Sequence, residues 1–410
     1  MGFLHDLRER GLIAQVTFED ELKTHLDLGT RSAYIGFDPT ARSLHAGSLL
    51  QLMTLKRWQM HGHRAILVAG GGTAVVGDPS GKSDMRQMLT SDEISNNVLA
   101  IGEQLKKIID FSSPQKALLV NNADWLSKLN YLEMLRDVGK HFTVNRMLAA
   151  ECFKQRWEKG LTFLEFNYMI LQSYDFLYLN KNCDCTVQMG GDDQWSNILA
   201  GVDLIRRSSQ GQAYCLTTPL LTTSDGKKMG KTEKGAVWLD ASLTSPYEYY
   251  QFWRSVEDGV VDLCLRAFTF LPMSEIDRLK KLQGADINEA KKILASECTL
   301  ILHGKKAAEE AADSAKNLFS GSQANAGNEP TFEVESSIFE ERKTLVDVLV
   351  QLKIFDSKSE ARRLIDQGGL TLNDQKVTNG AQLFEEALFL SKDGILLKKG
   401  KKNFYRIKIS

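Results

Sequence analysis

The chain has 410 residues, of which 43% are hydrophobic and 25% charged, and its formal net charge is −1. This composition is typical of a soluble globular protein, and the length predicts two or three domains. No apolar run approaches the ~20 residues of a membrane helix. The N-terminus lacks an apolar signal core, and Asp6 replaces the Ser or Thr of a myristoylation signal.

Cysteine usage indicates the compartment. The six cysteines have no framework spacing, which favours a reducing environment, so we expect a cytoplasmic protein. Cys183 and Cys185 form a lone C-x-C pair, which favours buried thiols, and we expect no metal site in the protein.

Charge is unevenly distributed. Residues 341–410 contain 14 Lys or Arg against 9 Asp or Glu, a net charge of +5, which leaves −6 for residues 1–340. A basic C-terminal module predicts a polyanionic partner at one end of the molecule, although a solvated basic face explains the charge equally well.

Strand and helix patterns alternate along the first half of the chain. Residues 1–26 predict one amphipathic helix, and residues 246–318 are helical in pattern throughout. Between them, strands are predicted at 32–38, 64–71, 116–122 and 185–193, with helices at 43–62, 92–110, within 130–180, and from Trp195. Strand–helix–strand units of this length indicate a right-handed parallel sheet, and hence an α/β, Rossmann-like catalytic domain.

Composition suggests the domain boundaries. Residues 320–337 are polar and contain Gly, Pro, Ser and Asn, which predicts a linker. The predicted domains are a catalytic domain at 1–225 with a helical insertion at about 120–180, a loop and α-helical domain at 226–319, a linker at 320–340 and a small C-terminal domain at 341–410.

The first strand and its helix carry a candidate nucleotide site. Tyr34, Gly36 and Asp38 are two residues apart and share one face of the strand. Ser43 is the predicted N-cap of the following helix. The helix start would then present the segment His45–Ser48, whose free N–H groups favour an anion such as triphosphate. An ordinary helix start with an incidental histidine is the alternative.

Three further segments contain polar residues at strand ends or in loops. The strand before Gly70 ends in three glycines, so another group must pass close to it, and Asp78 follows in a turn. The next loop carries Lys82 and Arg86, which could reach phosphates. The strand ending in GGDDQW places acids at a carboxyl end, where open parallel sheets bind ligands.

One buried helix carries a polar stripe. Tyr168, Gln172 and Asp175 lie at i, i+4 and i+7 of a helix that is otherwise apolar nearly all round. Buried polar groups need partners, so the stripe predicts a polar cavity rather than a purely structural helix. Further on, the segment KMGKT (residues 228–232) places two lysines on a loop, which suits the charge of a departing pyrophosphate. A generic basic turn is the alternative for this segment.

Taken in series, GFDPT and HAGS, GDPSGK, the Tyr-x-x-x-Gln-x-x-Asp helix, GGDDQW, KMGKT and SPYEYYQFW resemble the class I aminoacyl-tRNA synthetases of the bacterial-type tyrosyl branch. The resemblance extends over the whole chain and implies an S4-type RNA-binding domain at about 343–410. It implies ATP-dependent activation of L-tyrosine, with Mg²⁺, followed by transfer to tRNA(Tyr). It also implies a homodimer, with no DNA or membrane partner.

The resemblance also implies the role of each site residue. Tyr34 and Asp175 would bond the phenolic hydroxyl, and further tyrosine contacts would come from Asp38, Asp78, Tyr168, Gln172 and Gln194. ATP-binding positions would be Gly36, Gly47, Ser48, Gly191, Asp193 and Lys231. Catalytic contacts to the phosphates would come from Thr40, His45, Lys82, Arg86, Lys228, Lys231 and Thr232. Contacts to tRNA are expected from Lys358, Arg362, Arg363, Lys398 and Lys399.

Three positions depart from the family pattern, since Ile35 and Gln51 replace residues that contact the ribose side in members of the family, and Ser48 differs as well. Ser48 occupies the place of a second histidine in the usual class I motif, which suggests altered ATP handling.

Two other functions fit parts of the pattern. A tryptophanyl-tRNA synthetase shares the fold, but an indole has no hydroxyl for Tyr34 and Asp175. An RNA-binding protein that has lost aminoacylation would not need an intact tyrosine stripe.

Overall fold

The computed structural model describes residues 2–80, 89–153, 160–222, 229–232, 235–320, 330–373, 375–389, 394–400 and 403–409, with backbone only for 231–232 and 317–320. The chain forms two compact units. The first comprises residues 1–244 and 249–306, and the second comprises 245–248 and 307–410. The predicted boundaries at 225/226 and 340/341 stay predictions.

A six-stranded sheet forms the centre of the first unit, in the order β1-β6-β5-β2-β3-β4. Its strands are β1 Gln15–Val16, β2 Ser32–Phe37, β3 Arg64–Ala69, β4 Ala117–Asn121, β5 Cys185–Gly191 and β6 Tyr214–Thr218. The four predicted strands, β2 to β5, pair in parallel as expected. Strand β6, which was not predicted, pairs in parallel with β5, whereas β1 pairs antiparallel with β6. The sheet is therefore mixed rather than wholly parallel.

The predicted single helix over residues 1–26 is wrong. Two helices, α1 Phe3–Glu9 and α2 Glu19–Asp27, flank strand β1. Gly11 has φ +67° and Phe18 has φ +46°, so the chain adopts the left-handed region at both ends of the β1 segment and the helix is interrupted.

Helices cover the sheet of the first unit and continue after it. They are α3 Ala46–Met60, α4 Ser91–Leu105, α5 Ala123–Leu126, α6 Tyr131–Asp137, α7 Val144–Leu148, α8 Phe163–Phe166, α9 Tyr168–Cys183, α10 Trp195–Ser209, α11 Pro246–Arg254, α12 Val261–Phe268, α13 Met273–Lys280 and α14 Ile287–Ser320. The backbone of α14 is not helical at Gly304, which has φ +83° and divides it into two helices. Short strands β7 Lys231–Thr232 and β8 Gly235–Ala236 pair antiparallel. No helix in the described ranges is long and apolar enough to cross a membrane.

The carboxyl ends of the parallel strands meet at one edge of this sheet. Phe37 lies beside Ala69, and Ala69 lies beside Asn121. On the other side, Gly191 is paired with Thr218. Because the loops after these strands all leave from the same edge, they bring distant parts of the sequence together there.

The second unit contains a five-stranded sheet in the order β11-β10-β12-β13-β9. Its strands are β9 Thr331–Val334, β10 Leu370–Leu372, β11 Gln375–Lys376, β12 Ile395–Lys399 and β13 Asn403–Ile409, and its helices include α15 Leu345–Gln351 and α16 Lys358–Asp366. The linker predicted at 320–337 is wrong for residues 331–334, which pair in parallel with β13. Val334 is buried there in the core of this unit, so the polar composition around it concealed a strand.

Candidate active site

A cavity of about 580 Å³ lies at the carboxyl edge of the first sheet. Most of the predicted site residues line it. They are Tyr34, Gly36, Asp38, Thr40, His45, Gly47, Ser48, Asp78, Tyr168, Gln172, Asp175, Gly191, Asp193 and Gln194. The polar stripe on α9 therefore faces a cavity, as its spacing predicts.

At one end of the cavity, a phenol and a carboxylate are buried together. Tyr34 is buried, and its hydroxyl donates to the backbone oxygen of Gln172 over 3.4 Å. The Asp175 carboxylate accepts hydrogen bonds from Asn122 Nδ2 at 2.9 Å and from Trp125 Nε1 at 2.7 Å. Burial raises the pKa of Asp175 to about 7, although these two hydrogen bonds act to lower it.

A second carboxylate, that of Asp38, is held from two sides. Tyr168 donates its hydroxyl to Asp38 Oδ2 at 3.0 Å, and Thr73 donates to Oδ1 at 2.9 Å. A Cβ at Gly70 would lie 2.2 Å from Asp38 Oδ1 and 2.6 Å from Thr73 Oγ1. Gly70, the first of the three glycines, therefore leaves the space that the Asp38 carboxylate and the Thr73 hydroxyl occupy.

A third carboxylate is buried between the strand ends. Asp78 accepts from Gln194 Nε2 at 2.8 Å and from the backbone N–H of Ser80 at 2.9 Å. Burial raises the pKa of Asp78, and the charge of Asp38 acts in the same direction. Within the described residues, the buried Oε1 of Gln172 has no hydrogen-bond partner. This region therefore offers an acceptor and carboxylates to a cationic group.

The HAGS segment (residues 45–48) begins α3, but its N-cap is His45 and not Ser43 as predicted. Ser43 Oγ instead donates to the oxygen of Leu44 and accepts from the N–H of Asp240. The hydroxyl is therefore used to hold the loop before the helix. Gly47 and Ser48 lie in the first turn, where the N–H of Ala46 donates to the oxygen of Val237 and the N–H of Ser48 donates to the oxygen of His45.

The KMGKT and HAGS segments lie against each other. Gly230 has φ +93°, and a Cβ there would lie 2.4 Å from the backbone nitrogen of Gly47. After this contact, Val237 accepts from the N–H of Ala46 at 2.7 Å, and Trp238 forms an antiparallel bridge with His45. The described part of the second motif is thus held on the first turn of α3.

The predicted ribose side is formed by the ends of β5 and β6. A Cβ at Gly191 would lie 2.9 Å from Asp193 Oδ1 and 3.5 Å from Gln51 Nε2. Gln51 Nε2 donates to Thr218 Oγ1 at 3.0 Å, and its buried Oε1 has no hydrogen-bond partner within the described residues. Gly191 therefore leaves the space that Asp193 and Gln51 border.

Several predicted contacts are outside the described residues. These are Lys82, Arg86 and Lys228, together with the side chains of Lys231 and Thr232. In the ranges that the structure describes, no group of three or more His, Cys, Asp or Glu residues is arranged to hold a metal ion. Cys183 and Cys185 are free thiols, and Cys185 is buried.

Comparison with known proteins decides between the remaining functions. Residues 29–320 match the family model "tRNA synthetases class I (W and Y)", and residues 323–407 match the model of the tyrosine–tRNA ligase SYY-like C-terminal domain. The chain is 56% identical over 401 residues to the tyrosine–tRNA ligase of Clostridium botulinum strain Langeland, covering 98% of both chains. The chain belongs to the tyrosine–tRNA ligase family. The predicted class I enzyme, which attaches tyrosine to tRNA with ATP as substrate, is therefore confirmed, and tryptophan as substrate is set aside.

Other members of the tyrosine–tRNA ligase family agree with this result. The Caldanaerobacter subterraneus subsp. tengcongensis enzyme is 53% identical and covers 99% of each chain. The solved mitochondrial tyrosyl-tRNA synthetase of Aspergillus nidulans is 33% identical, with a TM-score of 0.70 over 78% of this chain and 94% of its own. The tyrosyl-tRNA synthetase of Archaeoglobus fulgidus is 16% identical with a TM-score of 0.58 over 76% of this chain and 99% of its own, which shows a shared fold alone.

In the C-terminal unit, the residues predicted to contact tRNA differ in their exposure and in their bonding partners. Arg362 and Arg363 are exposed on α16. Lys358 pairs with Asp347 at 2.6 Å. Lys399 is only 8% exposed, and its Nζ donates to the oxygen of Ile354 at 2.9 Å and to Glu360 Oε1 at 2.7 Å, in addition to lying over the Phe355 ring.

Sequence reasoning missed the residues that hold the ligase's acidic groups. Asn122 follows β4, and Trp125 lies in the next helical turn. One signal was available, since Asn122 ends the strand predicted at 116–122 and so lies at the carboxyl edge of the sheet. Trp125 carried no such signal, because its bond to Asp175 joins residues 50 positions apart.

Proposed function

We propose that this cavity forms tyrosyl-adenylate from L-tyrosine and ATP, with the phenol of the substrate between Tyr34 and Asp175. The observation that carries the proposal is the buried Asp175 carboxylate, which Asn122 and Trp125 orient while it lies in the same cavity as the Tyr34 hydroxyl. Phenylalanine would leave these buried polar groups without the phenol, which supports strong discrimination against it.

In this proposal the substrate ammonium lies among Asp78, Tyr168 and Gln172. The Oε1 of Gln172, which is unpaired within the part of the chain that the structure describes, and the buried Asp78 carboxylate are suitable acceptors for its three N–H donors. Asp38 and Gln194 would orient the carboxylate end of tyrosine towards ATP. Both are already fixed by hydrogen bonds, so little reorganisation is needed when the substrate arrives.

ATP would lie along the opposite side, with its ribose at Gly191 and Asp193 and its α-phosphate near Gly36. Thr40, His45, Gly47 and Ser48 would meet the γ-phosphate at the start of α3. Lys82, Arg86, Lys228, Lys231 and Thr232 would then surround the departing pyrophosphate, by family resemblance. Mg²⁺ would enter with the nucleotide as the counter-ion of its phosphates.

The chemistry needs no protein nucleophile. The tyrosine carboxylate oxygen attacks the α-phosphorus in line, and the bond to the bridging oxygen of pyrophosphate breaks. The terminal ribose hydroxyl of tRNA then attacks the adenylate carbonyl, which releases AMP. The protein contributes positioning and stabilisation of the phosphate charge.

For tRNA we propose that the C-terminal unit is of the S4 type and that Lys358, Arg362, Arg363 and Lys398 contact phosphates. The exposure of the two arginines supports this role. Lys399 was expected among these contacts, but its buried ammonium already has two hydrogen-bond acceptors. We therefore propose that Lys399 stabilises the fold of this unit.

A homodimer is proposed from apolar side chains that the first unit exposes on α6 to α8. The large exposed residues there are Tyr131, Leu132, Leu135, Val144, Phe163 and Leu164. Six such residues on three successive short helices favour burial against a second copy of the chain.

We also propose that the enzyme acts in the cytoplasm, where translation takes place.

Tyrosine-dependent pyrophosphate exchange tests the proposed site. Asp175→Ala should lose exchange with tyrosine by more than about 100-fold, since it removes the acceptor of the phenol. Unchanged exchange in this variant would refute the placement. The same assay on Ser48→His tests whether Ser48 alters ATP handling, and unchanged ATP kinetics would reject that part.

A further inference from the structure

Gln104, near the end of α4, holds the loop that leads into the HAGS segment. Its side chain is 4% exposed and is not part of the cavity lining. Its Oε1 accepts from the N–H of Leu44 at 2.9 Å, and it lies 3.2 Å from Ser43 Oγ, whose single proton it shares with the oxygen of Leu44, while its Nε2 donates to the oxygen of Arg42 at 3.2 Å. One buried amide thus contacts the three residues that immediately precede His45.

A second amide on α4 holds the other end of the same loop. Asn97 lies seven residues before Gln104, which is about two helical turns, so the two side chains share a face of the helix. Asn97 Nδ2 donates to the oxygen of Pro39 at 3.0 Å. The loop at 38–45 is therefore fastened to α4 on both sides of Thr40.

The Gln104 contact also extends to the segment that follows KMGKT. Ser43 Oγ accepts from the N–H of Asp240 at 3.1 Å, and Leu239 donates its N–H to the oxygen of Leu44 at 2.8 Å. Both nucleotide motifs therefore depend on the position of residues 43 and 44. Those two residues are in turn held by a single side chain from α4.

We infer that Gln104 and Asn97 are positioning residues for adenylate formation, which act by holding Thr40 and His45 at the place of the γ-phosphate. This inference rests on the proposed roles of Thr40 and His45. Neither amide reaches the tyrosine end of the cavity, so their loss should change the ATP step and leave tyrosine binding intact. A displacement of about 1 Å in such a group can lower a rate about 100-fold.

Gln59 offers a matched control for Gln104. It lies near the end of α3, far along the helix from His45, and it also makes three hydrogen bonds, all of them to backbone groups, whereas Gln104 makes two to backbone groups and one to a hydroxyl. Its Nε2 donates to the oxygens of Asp110 and Lys116 at 2.9 and 3.0 Å, and its Oε1 accepts from the N–H of Asp110 at 3.0 Å. Gln59 is half-buried and Gln104 is buried, so Gln104→Met should cost the protein more stability, and the free energy of unfolding of each variant is measured beside its rate.

The experiment compares kcat for tyrosine-dependent pyrophosphate exchange with the Kd of tyrosine measured by equilibrium dialysis. Gln104→Met should lower kcat by about 10- to 100-fold, whereas Gln59→Met should change it by less than about twofold. The Kd of tyrosine should stay within about twofold of wild type in both. Equal losses of kcat in the two variants, or a matching loss of tyrosine affinity in Gln104→Met, would overturn the inference.

Two further variants keep the result unambiguous. Asn97→Ala removes one hydrogen bond from a half-buried residue and should lower kcat by about 3- to 10-fold. It decides the question alone if Gln104→Met does not fold, and an unchanged kcat would then overturn the inference. His45→Ala tests the proposed role of His45 at the γ-phosphate, on which the inference rests. If it leaves exchange intact, the proposed role of His45 fails, whereas loss of exchange in His45→Ala with normal rates in the α4 variants rejects the positioning role alone.

Discussion

Asp175→Asn should make the free enzyme more stable at alkaline pH while it disables tyrosine activation. The acid is buried, and its pKa is raised from 3.8 to about 7 by that burial. Between these two values the folded protein binds more protons at this position than the unfolded chain does. The stability of the wild type therefore falls as pH rises through this window, and an amide at the same position does not titrate.

The magnitude follows from the two pKa values. With 3.8 in the unfolded chain and about 7 in the folded protein, the free energy of unfolding falls by about 2.5 kcal/mol between pH 5 and pH 8. The new amide also turns an N–H group towards either Asn122 or Trp125, which are both donors. That conflict costs about 1–3 kcal/mol, but it is the same at both pH values and cancels from the comparison.

Urea unfolding of wild type and Asp175→Asn at pH 5 and pH 8 measures this difference. The variant should gain about 2.5 kcal/mol relative to wild type between the two pH values. Titrating groups that do not interact with Asp175 act equally in both proteins, so their contribution is removed by the subtraction. A difference between the proteins that does not vary with pH would refute the assignment of a raised pKa to Asp175.

Three other predictions concern separate parts of the molecule. The charged form of Asp175 should accept the phenol more strongly, so tyrosine affinity should rise with pH through about 7. Trp125→Phe removes a hydrogen bond that lowers the pKa of Asp175, so the midpoint of the KM profile should move to higher pH. A midpoint that does not move would contradict this prediction. Gly230→Ala should lower the exchange rate by at least about tenfold and leave tyrosine affinity unchanged. The reason is that the new Cβ would clash with the start of α3, at a residue whose φ is positive. A normal rate would show that the KMGKT and HAGS segments need not touch. Lys399→Met should lower the free energy of unfolding of the C-terminal unit by about 2–4 kcal/mol and leave the salt dependence of tRNA binding unchanged. Lys398→Met should reduce the slope of log K against log salt by about 0.7–0.9 and leave stability nearly unchanged. The reverse result would exchange the roles assigned to the two lysines.

The sequence predicted those parts of the site that a local pattern specifies. Tyr168, Gln172 and Asp175 repeat at helical spacing on an apolar helix, so their common face could be inferred without knowledge of their neighbours. Four parallel strands were likewise identified by short apolar runs that end in glycine, acid or asparagine, whereas β6 was not predicted. The start of α3 was misplaced by two residues, since Ser43 is a good N-cap by composition but is bonded to Leu44 and Asp240 instead.

The residues that the sequence could not predict act across long separations. Gln104 and Leu44 are 60 positions apart, as the bond between their amide and N–H shows. Nothing in the periodicity of α4 distinguishes Gln104 from a solvent-facing glutamine until the helix is placed beside the loop. The strand at 331–334 escaped detection for a related reason, because only its pairing with β13 in the second unit makes it a strand.

Several polar atoms of the site remain unsatisfied in the free protein, within the residues described. The side-chain oxygens Oε1 of Gln51, Gln172 and Gln188 are all buried without a hydrogen-bond partner, and all three residues line the cavity. A buried acceptor left unpaired costs about 1–3 kcal/mol, and the raised pKa of Asp175 reflects a similar cost of burying charge. A ligand with a phenol, an ammonium and ribose hydroxyls supplies donors to such acceptors, so binding recovers free energy that folding alone leaves unrealised. In the proposed site, phenylalanine and other amino acids without a phenol cannot recover the part that belongs to Asp175, so by this proposal the instability that Asp175→Asn should relieve is a physical source of selectivity for tyrosine.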